Sequence, residues 1–141
     1  MANEQGIVRI LLIEDHEPDA YLVQEALKTS GITYELTQVK DGEQGRTHLM
    51  EAAHTDVVPD LIFLDLNLPR LEGLELLKII RGRPRFAGVP VVVLTSSREQ
   101  SDKDRAHRLG ADMYITKPID FLEFMRVVGG AAKQLLTSPG S

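Results

Sequence analysis

The sequence predicts a doubly wound α/β domain, with five parallel strands in the order 2-1-3-4-5 and helices covering both faces of the sheet. Three observations predict it. Short, nearly continuous apolar runs at 8–13, 61–64, 91–94 and 113–116 have the length of strands and the composition of strands buried on both faces. The segments between strands carry helical periodicity instead of two-residue hairpin turns. Each of these runs also stops at a polar group: Glu14-Asp15, Asp65, Thr95 and Lys117.

The elements follow in order. After the first strand, Pro18 suits the first turn of a helix, where its missing N–H costs nothing, and Leu22, Val23, Ala26 and Leu27 recur at helical spacing until Gly31. Residues 34–39 alternate apolar and polar, as an edge strand does, and Asp41-Gly42 breaks them ahead of a helix over 43–53. The run 61–64 leads through Asn67-Leu68-Pro69 and Gly73 into a helix with Leu74, Leu77 and Ile80 on one stripe. A helix over 99–109, ended by Gly110, separates the last two strands. Asp120 and Glu123 resemble a capping box opening a final helix, with Phe121, Leu122, Met125 and Val128 inward and a fray or bend at Gly129-Gly130.

One domain is expected over 7–136, with flexible termini at 1–6 and 137–141 and no output domain. The 141 residues contain no cysteine, which excludes disulfides, thiolate metal sites and cysteine nucleophiles. Sixteen Lys and Arg against 21 Asp and Glu give a net charge of -5, which disfavours nucleic acid as a partner. No apolar run approaches membrane-spanning length, so a cytoplasmic location without membrane contact is expected.

In an open α/β sheet, ligands bind beyond the carboxyl ends of the strands, where the strand order reverses, here between strands one and three. Glu14, Asp15 and Asp65 all end there. Any one of them alone reads as a solvated loop acid, but three converging carboxylates repel one another and call for a hard, oxygen-seeking cation, Mg²⁺ or Mn²⁺. Thr95 and Lys117 would bring a hydroxyl donor and an ammonium to the same edge, a set suited to a phosphate.

In this order, Glu14-Asp15, Asp65-Leu66-Asn67-Leu68-Pro69 with Gly73, Thr95-Ser96, Gly110-Ala111, Tyr114 and Lys117-Pro118 resemble the receiver domains of bacterial two-component response regulators, over nearly the whole chain. The resemblance implies a flavodoxin-like (βα)5 fold. It implies that Asp65 accepts a phosphoryl group from a sensor histidine kinase. Asp15, Asp65 and the backbone carbonyl of Asn67 would bind the metal, with Glu14 assisting through water. Thr95 and Lys117 would hold the phosphoryl oxygens, Thr95 and Tyr114 would switch a partner surface, and Asn67 and Ser97 would tune the phosphoryl lifetime. It further implies a cis Lys117-Pro118 bond. The chemistry would be self-modification and autodephosphorylation, not turnover of a separate substrate.

The chain departs from the family pattern at Glu14, Glu72 and Gly45, where Asp, Asp or Asn, and Ala are frequent; none of these removes a reacting group. The Asp-Leu-Asn-Leu-Pro motif is similar to the small single-domain regulators of bacterial phytochrome kinases. That subgroup implies a homodimer through the fourth helix, fifth strand and fifth helix, with Phe121, Phe124, Met125 and Val128 as candidate contacts. Two competing readings are a phosphorylation-silent module on the same fold and a Mg²⁺-dependent phosphohydrolase. The latter resembles enzymes that want a second acid where this chain has Asn67. Arg81, Arg83 and Arg85 read as a solvated basic loop in preference to a kinase contact. His16, His48, His54 and His107 have no metal-ligand spacing and are assigned no chemistry.

Overall fold

The computed structural model describes residues 6–55 and 57–136. The expected flexible ends therefore lie outside the described residues, Gly6 excepted. Five strands, β1 (Val8–Ile13), β2 (Tyr34–Val39), β3 (Leu61–Leu64), β4 (Val91–Thr95) and β5 (Met113–Thr116), alternate with α1 (Glu17–Thr29), α2 (Gly42–Ala52), α3 (Gly73–Gly82), α4 (Gln100–Arg108) and α5 (Phe121–Leu136). All strands pair in parallel, in the order β2-β1-β3-β4-β5.

The apolar runs are continuous because successive side chains feed two different cores. Leu11, Ile13, Ile62, Leu64, Val91 and Val93 point to the face covered by α2, α3 and α4. Ile10, Leu12, Leu61, Phe63, Val92 and Leu94 point to the opposite face, against Val23 and Leu27 of α1 and Phe124 and Val128 of α5. Gly45, where the family favours alanine, is a packing choice: a Cβ there would stand 2.9 Å from Leu76 Cδ2. The missing methyl leaves room for that leucine in the first core.

Four expectations need correction. α5 runs unbroken through Gly129-Gly130, because Gly129 lies where α1 crosses closely, its would-be Cβ 3.4 Å from the Ala26 carbonyl. The inward stripe of α5 is Phe124, Val128, Ala131 and Ala132, while Phe121 and Leu122 are exposed: Leu122 is out of phase with the stripe, and Phe121 sits at the unpacked first turn. Only half of the capping box forms. Asp120 Oδ1 accepts from Glu123 N at 2.9 Å, but the Glu123 carboxylate pairs with Arg126. Finally, every peptide bond among the described residues is trans, Lys117–Pro118 included. Trans is the intrinsic preference of an X-Pro bond, and Lys117 N donates to the Thr95 carbonyl at 2.8 Å, so β5 alone carries the lysine to the strand ends.

The basic connection after α3 keeps Arg83 and Arg85 exposed, as expected of a solvated loop, but it is locally ordered and Arg81 belongs to α3 itself. Pro84–Phe86 forms a 3₁₀ turn with Phe86 in the core. Arg81 donates to the carbonyls of Gly110 (2.9 Å) and Val89 (2.8 Å) and pairs with Asp112 at 2.9 Å. Asp112 in turn accepts from Val91 N, so this arginine ties α3 to the starts of β4 and β5.

Candidate functional site

β1 and β3 are neighbours, with Ile13 in register with Leu64, so the residues that follow them emerge side by side at the carboxyl edge of the sheet. Oxygens of Glu14, Asp15 and Asp65 lie within 4.8 Å of one another. Glu14 is 1% exposed and Asp65 6%, while Asp15 faces solvent. Leu64 pairs with Val93 and Thr95 with Thr116, which puts Thr95 and Lys117 at the same edge.

Among the described residues, the cluster is compensated by one cationic side chain. Lys117 Nζ lies 2.8 Å from Glu14 Oε1, 2.8 Å from Asp19 Oδ2 and 3.2 Å from Asp65 Oδ2, and its side chain is 8% exposed. Burial pushes the Glu14 carboxyl up to about 7, helped by the Asp65 charge and opposed by its contacts with Lys117. For Lys117, burial alone would lower the ammonium, but its contacts with Asp19 and Glu14 and the charge of Asp65 outweigh that and raise it. The lysine is therefore a permanent positive charge in the site.

Asp65 is held by its own loop: Oδ1 accepts from Asn67 N at 3.2 Å. Gly73 closes this loop, donating its N–H to the Leu66 carbonyl at 3.1 Å. A Cβ on Gly73 would lie 2.3 Å from the Asp65 carbonyl oxygen and 2.6 Å from Leu66 Cα, distances that no side-chain adjustment relieves. Gly73→Ala is accordingly expected to lower stability by about 3 kcal/mol and to displace Asp65, read as a fall in the urea midpoint.

Thr95 is wholly buried, and its Oγ1 accepts from Ser97 N at 3.4 Å. Ser97 Oγ donates to Asp102 Oδ2 at 2.5 Å, and the Tyr114 hydroxyl donates to the Ser97 carbonyl at 2.9 Å. Burial raises the Tyr114 phenol. The turn between β4 and α4 thus links Thr95, Ser97 and Tyr114 in one chain of hydrogen bonds. α4 buries only Ala106, so little apolar packing opposes movement of that turn.

Sequence reasoning missed Asp19. It stands in the first turn of α1, where an acid already has a reason to be, namely the helix dipole. Only the side-chain geometry shows that it reaches Lys117.

The donor set fits a hard divalent cation. It consists entirely of carboxylate oxygens, and metal–oxygen bonds of about 2.1 Å require donors within roughly 4.2 Å of each other. From a 4.8 Å limit, two of the acids need tighten only slightly to share one cation, leaving the third close enough to act through water.

Fold and site together define a receiver, and the chain belongs to the response regulator receiver domain family, whose model matches residues 10–128. It is 39% identical over 123 residues to the response regulator Rcp1 of Synechocystis sp., an alignment covering 86% of this chain and 84% of Rcp1. The crystal structure of Mn²⁺-bound Rcp1 superposes with a TM-score of 0.85 at 37% identity, covering 93% of this chain and 96% of that one. The phosphorylated cyanobacterial phytochrome response regulator RcpA gives 0.85 at 36%, covering 93% and 95%. The bacteriophytochrome response regulator RtBRR gives 0.76 at 35%, covering 96% and 81%. The chain is thus a relative of phytochrome response regulators. None of its described helices is long and apolar enough to cross a membrane.

Proposed function

We propose that residues 7–136 form a receiver that accepts a phosphoryl group from a sensor histidine kinase onto Asp65, with Mg²⁺ or Mn²⁺ required. The observation that carries this reading is the setting of Asp65, a buried carboxylate flanked by a fixed ammonium and by two further acids. Asp15, Asp65 and the Asn67 carbonyl would hold the cation, with Glu14 acting through water. The bound cation supplies charge neutralisation on the transferring oxygens. An Asp65 carboxylate oxygen attacks phosphorus in line, an O–P bond forms, and the P–N bond to the donor histidine breaks with its electron pair left on the imidazole. Lys117 neutralises charge building on the phosphoryl oxygens. Hydrolysis of the acyl phosphate later restores the carboxylate.

The added charge, about 1.5 to 2 units, gives Thr95 and Lys117 a partner that exists only in the phosphorylated state. A pull on Thr95 is felt by Ser97 and Tyr114 through their hydrogen bonds, and α4 is free enough to follow. The surface so altered is α4–β5–α5, which we assign as the homodimer face; β5 is an open sheet edge and all its residues are half-exposed. Phe124 and Val128 belong to the core, so contacts there fall to other residues of that face. Asn67 and Ser97 tune the lifetime. The likeness to RcpA and RtBRR supports a bacteriophytochrome as the kinase, acting in the cytoplasm.

The test is intact-protein mass spectrometry after incubation with Mg²⁺ and a small acyl phosphate. One phosphoryl mass is expected, and none with chelator. No gain, even from a phosphohistidine donor, would instead make the domain a silent interaction module.

A further inference from the structure

We propose that Asp19 is a positioning residue for Lys117. It holds the ammonium beside Asp65 but off the metal carboxylates, so that a divalent cation can enter the Glu14, Asp15 and Asp65 cluster. The inference rests on the metal-dependent reading above and adds to it a residue and a role.

The geometry sets up a competition. Of the three carboxylates around Lys117 Nζ, Glu14 and Asp65 also belong to the acid cluster. A cation bound there and the ammonium would contend for the same oxygens and repel each other. The lysine cannot answer by moving into water, because its side chain is 8% exposed and closes on all three acids at once. A buried ammonium needs a counter-charge. Among the described residues Asp19 is the one carboxylate partner outside the cluster, and at 2.8 Å it is as close as Glu14 and closer than Asp65. When Glu14 and Asp65 turn to the cation, Asp19 keeps the ammonium paired and in place.

Asp19 is built for this task. It is fixed in the first turn of α1, where the helix dipole favours its charge. Its Oδ2, the atom that meets Lys117, also meets His16 Nδ1 at 3.0 Å, so the carboxylate is held from two sides. Its side chain is 19% exposed, so it stands between the lysine and solvent. Without Asp19 the ammonium would lean on Glu14 and Asp65 alone, and the cation would have to displace it from both.

The test is a double-mutant cycle on the full chain, with free Mn²⁺ measured by electron paramagnetic resonance. Asp19→Asn is expected to weaken Mn²⁺ binding roughly tenfold, and Asp19→Glu to restore most of it. Lys117→Gln should tighten binding, and in that background Asp19→Asn should change it less than about threefold. An equal loss in both backgrounds would overturn the proposal, since Asp19 would then act only as a nearby negative charge. So would an unchanged affinity in Asp19→Asn. Should Asp19→Asn fail to fold, Asp19→Ser in the same two backgrounds decides the point. An unaltered chain that binds no Mn²⁺ would sink the metal reading itself, whereas Mn²⁺ binding without coupling would sink only the role of Asp19.

Discussion

Asp65→Asn is expected to give a folded protein that takes up no phosphoryl group. The amide matches the carboxylate in size, and its oxygen can still accept from Asn67 N, so the loop after β3 keeps its anchor. The charge is what changes. Asp65 is buried beside Glu14, which is itself so deep that burial lifts its carboxyl to about 7. Removing one of these converging charges relieves repulsion, while the contact with Lys117 is lost; the two effects oppose. We expect the metal-free variant to equal or slightly exceed the unaltered protein in stability, because relief of repulsion offsets the lost contact with Lys117. Affinity for Mg²⁺ should fall at least roughly tenfold, because a central carboxylate ligand is gone. Urea unfolding with and without Mg²⁺, beside intact mass, checks all three statements. A phosphoryl group still gained by this variant would move the acceptor elsewhere.

Lys117→Met should have the largest effect on stability. The methionine fills similar space but leaves Glu14, Asp19 and Asp65 around a site with no cation. Breaking a buried ion pair from one side costs about 3–5 kcal/mol, and that loss is expected in metal-free urea unfolding. Mg²⁺ should then restore most of it, far more than it stabilises the unaltered protein, because the ion supplies the missing positive charge. Phosphoryl acceptance at saturating Mg²⁺ should nonetheless slow by roughly 10²-fold, the usual consequence of removing one charge stabiliser from a transition state. A variant as stable as the unaltered protein without metal would show that the three carboxylates are not charged together.

Much of this was legible in the sequence because it depends on period and position. Runs such as Leu61-Ile62-Phe63-Leu64 admit few readings other than a strand covered on both faces. Once strand order follows from the crossovers, the polar residues after β1, β3, β4 and β5 must share an edge, and Glu14, Asp15 and Asp65 do converge. What could not be read depends on side-chain reach and helix phase. Asp19 looked like a first-turn acid, and Arg81 like one charge of a solvated loop, although it binds carbonyls on two other segments. In α5 the apolar residues Phe121, Leu122, Phe124, Met125 and Val128 satisfy more than one helical stripe, and only packing on α1 and the sheet selects Phe124 and Val128. The Lys117–Pro118 bond was expected to be cis by resemblance; it is trans, and the lysine still reaches its three acids.

Whether Asp65 carries the phosphoryl group is tested most directly by chemical mapping. After incubation with Mg²⁺ and the acyl phosphate donor, borohydride reduces an aspartyl phosphate to homoserine and leaves free carboxylates untouched. Tandem mass spectrometry of the digested chain should then find homoserine at position 65, dependent on Mg²⁺ and absent from Asp65→Asn. Homoserine at position 15, or phosphate retained on a residue that borohydride does not reduce, would contradict the assignment.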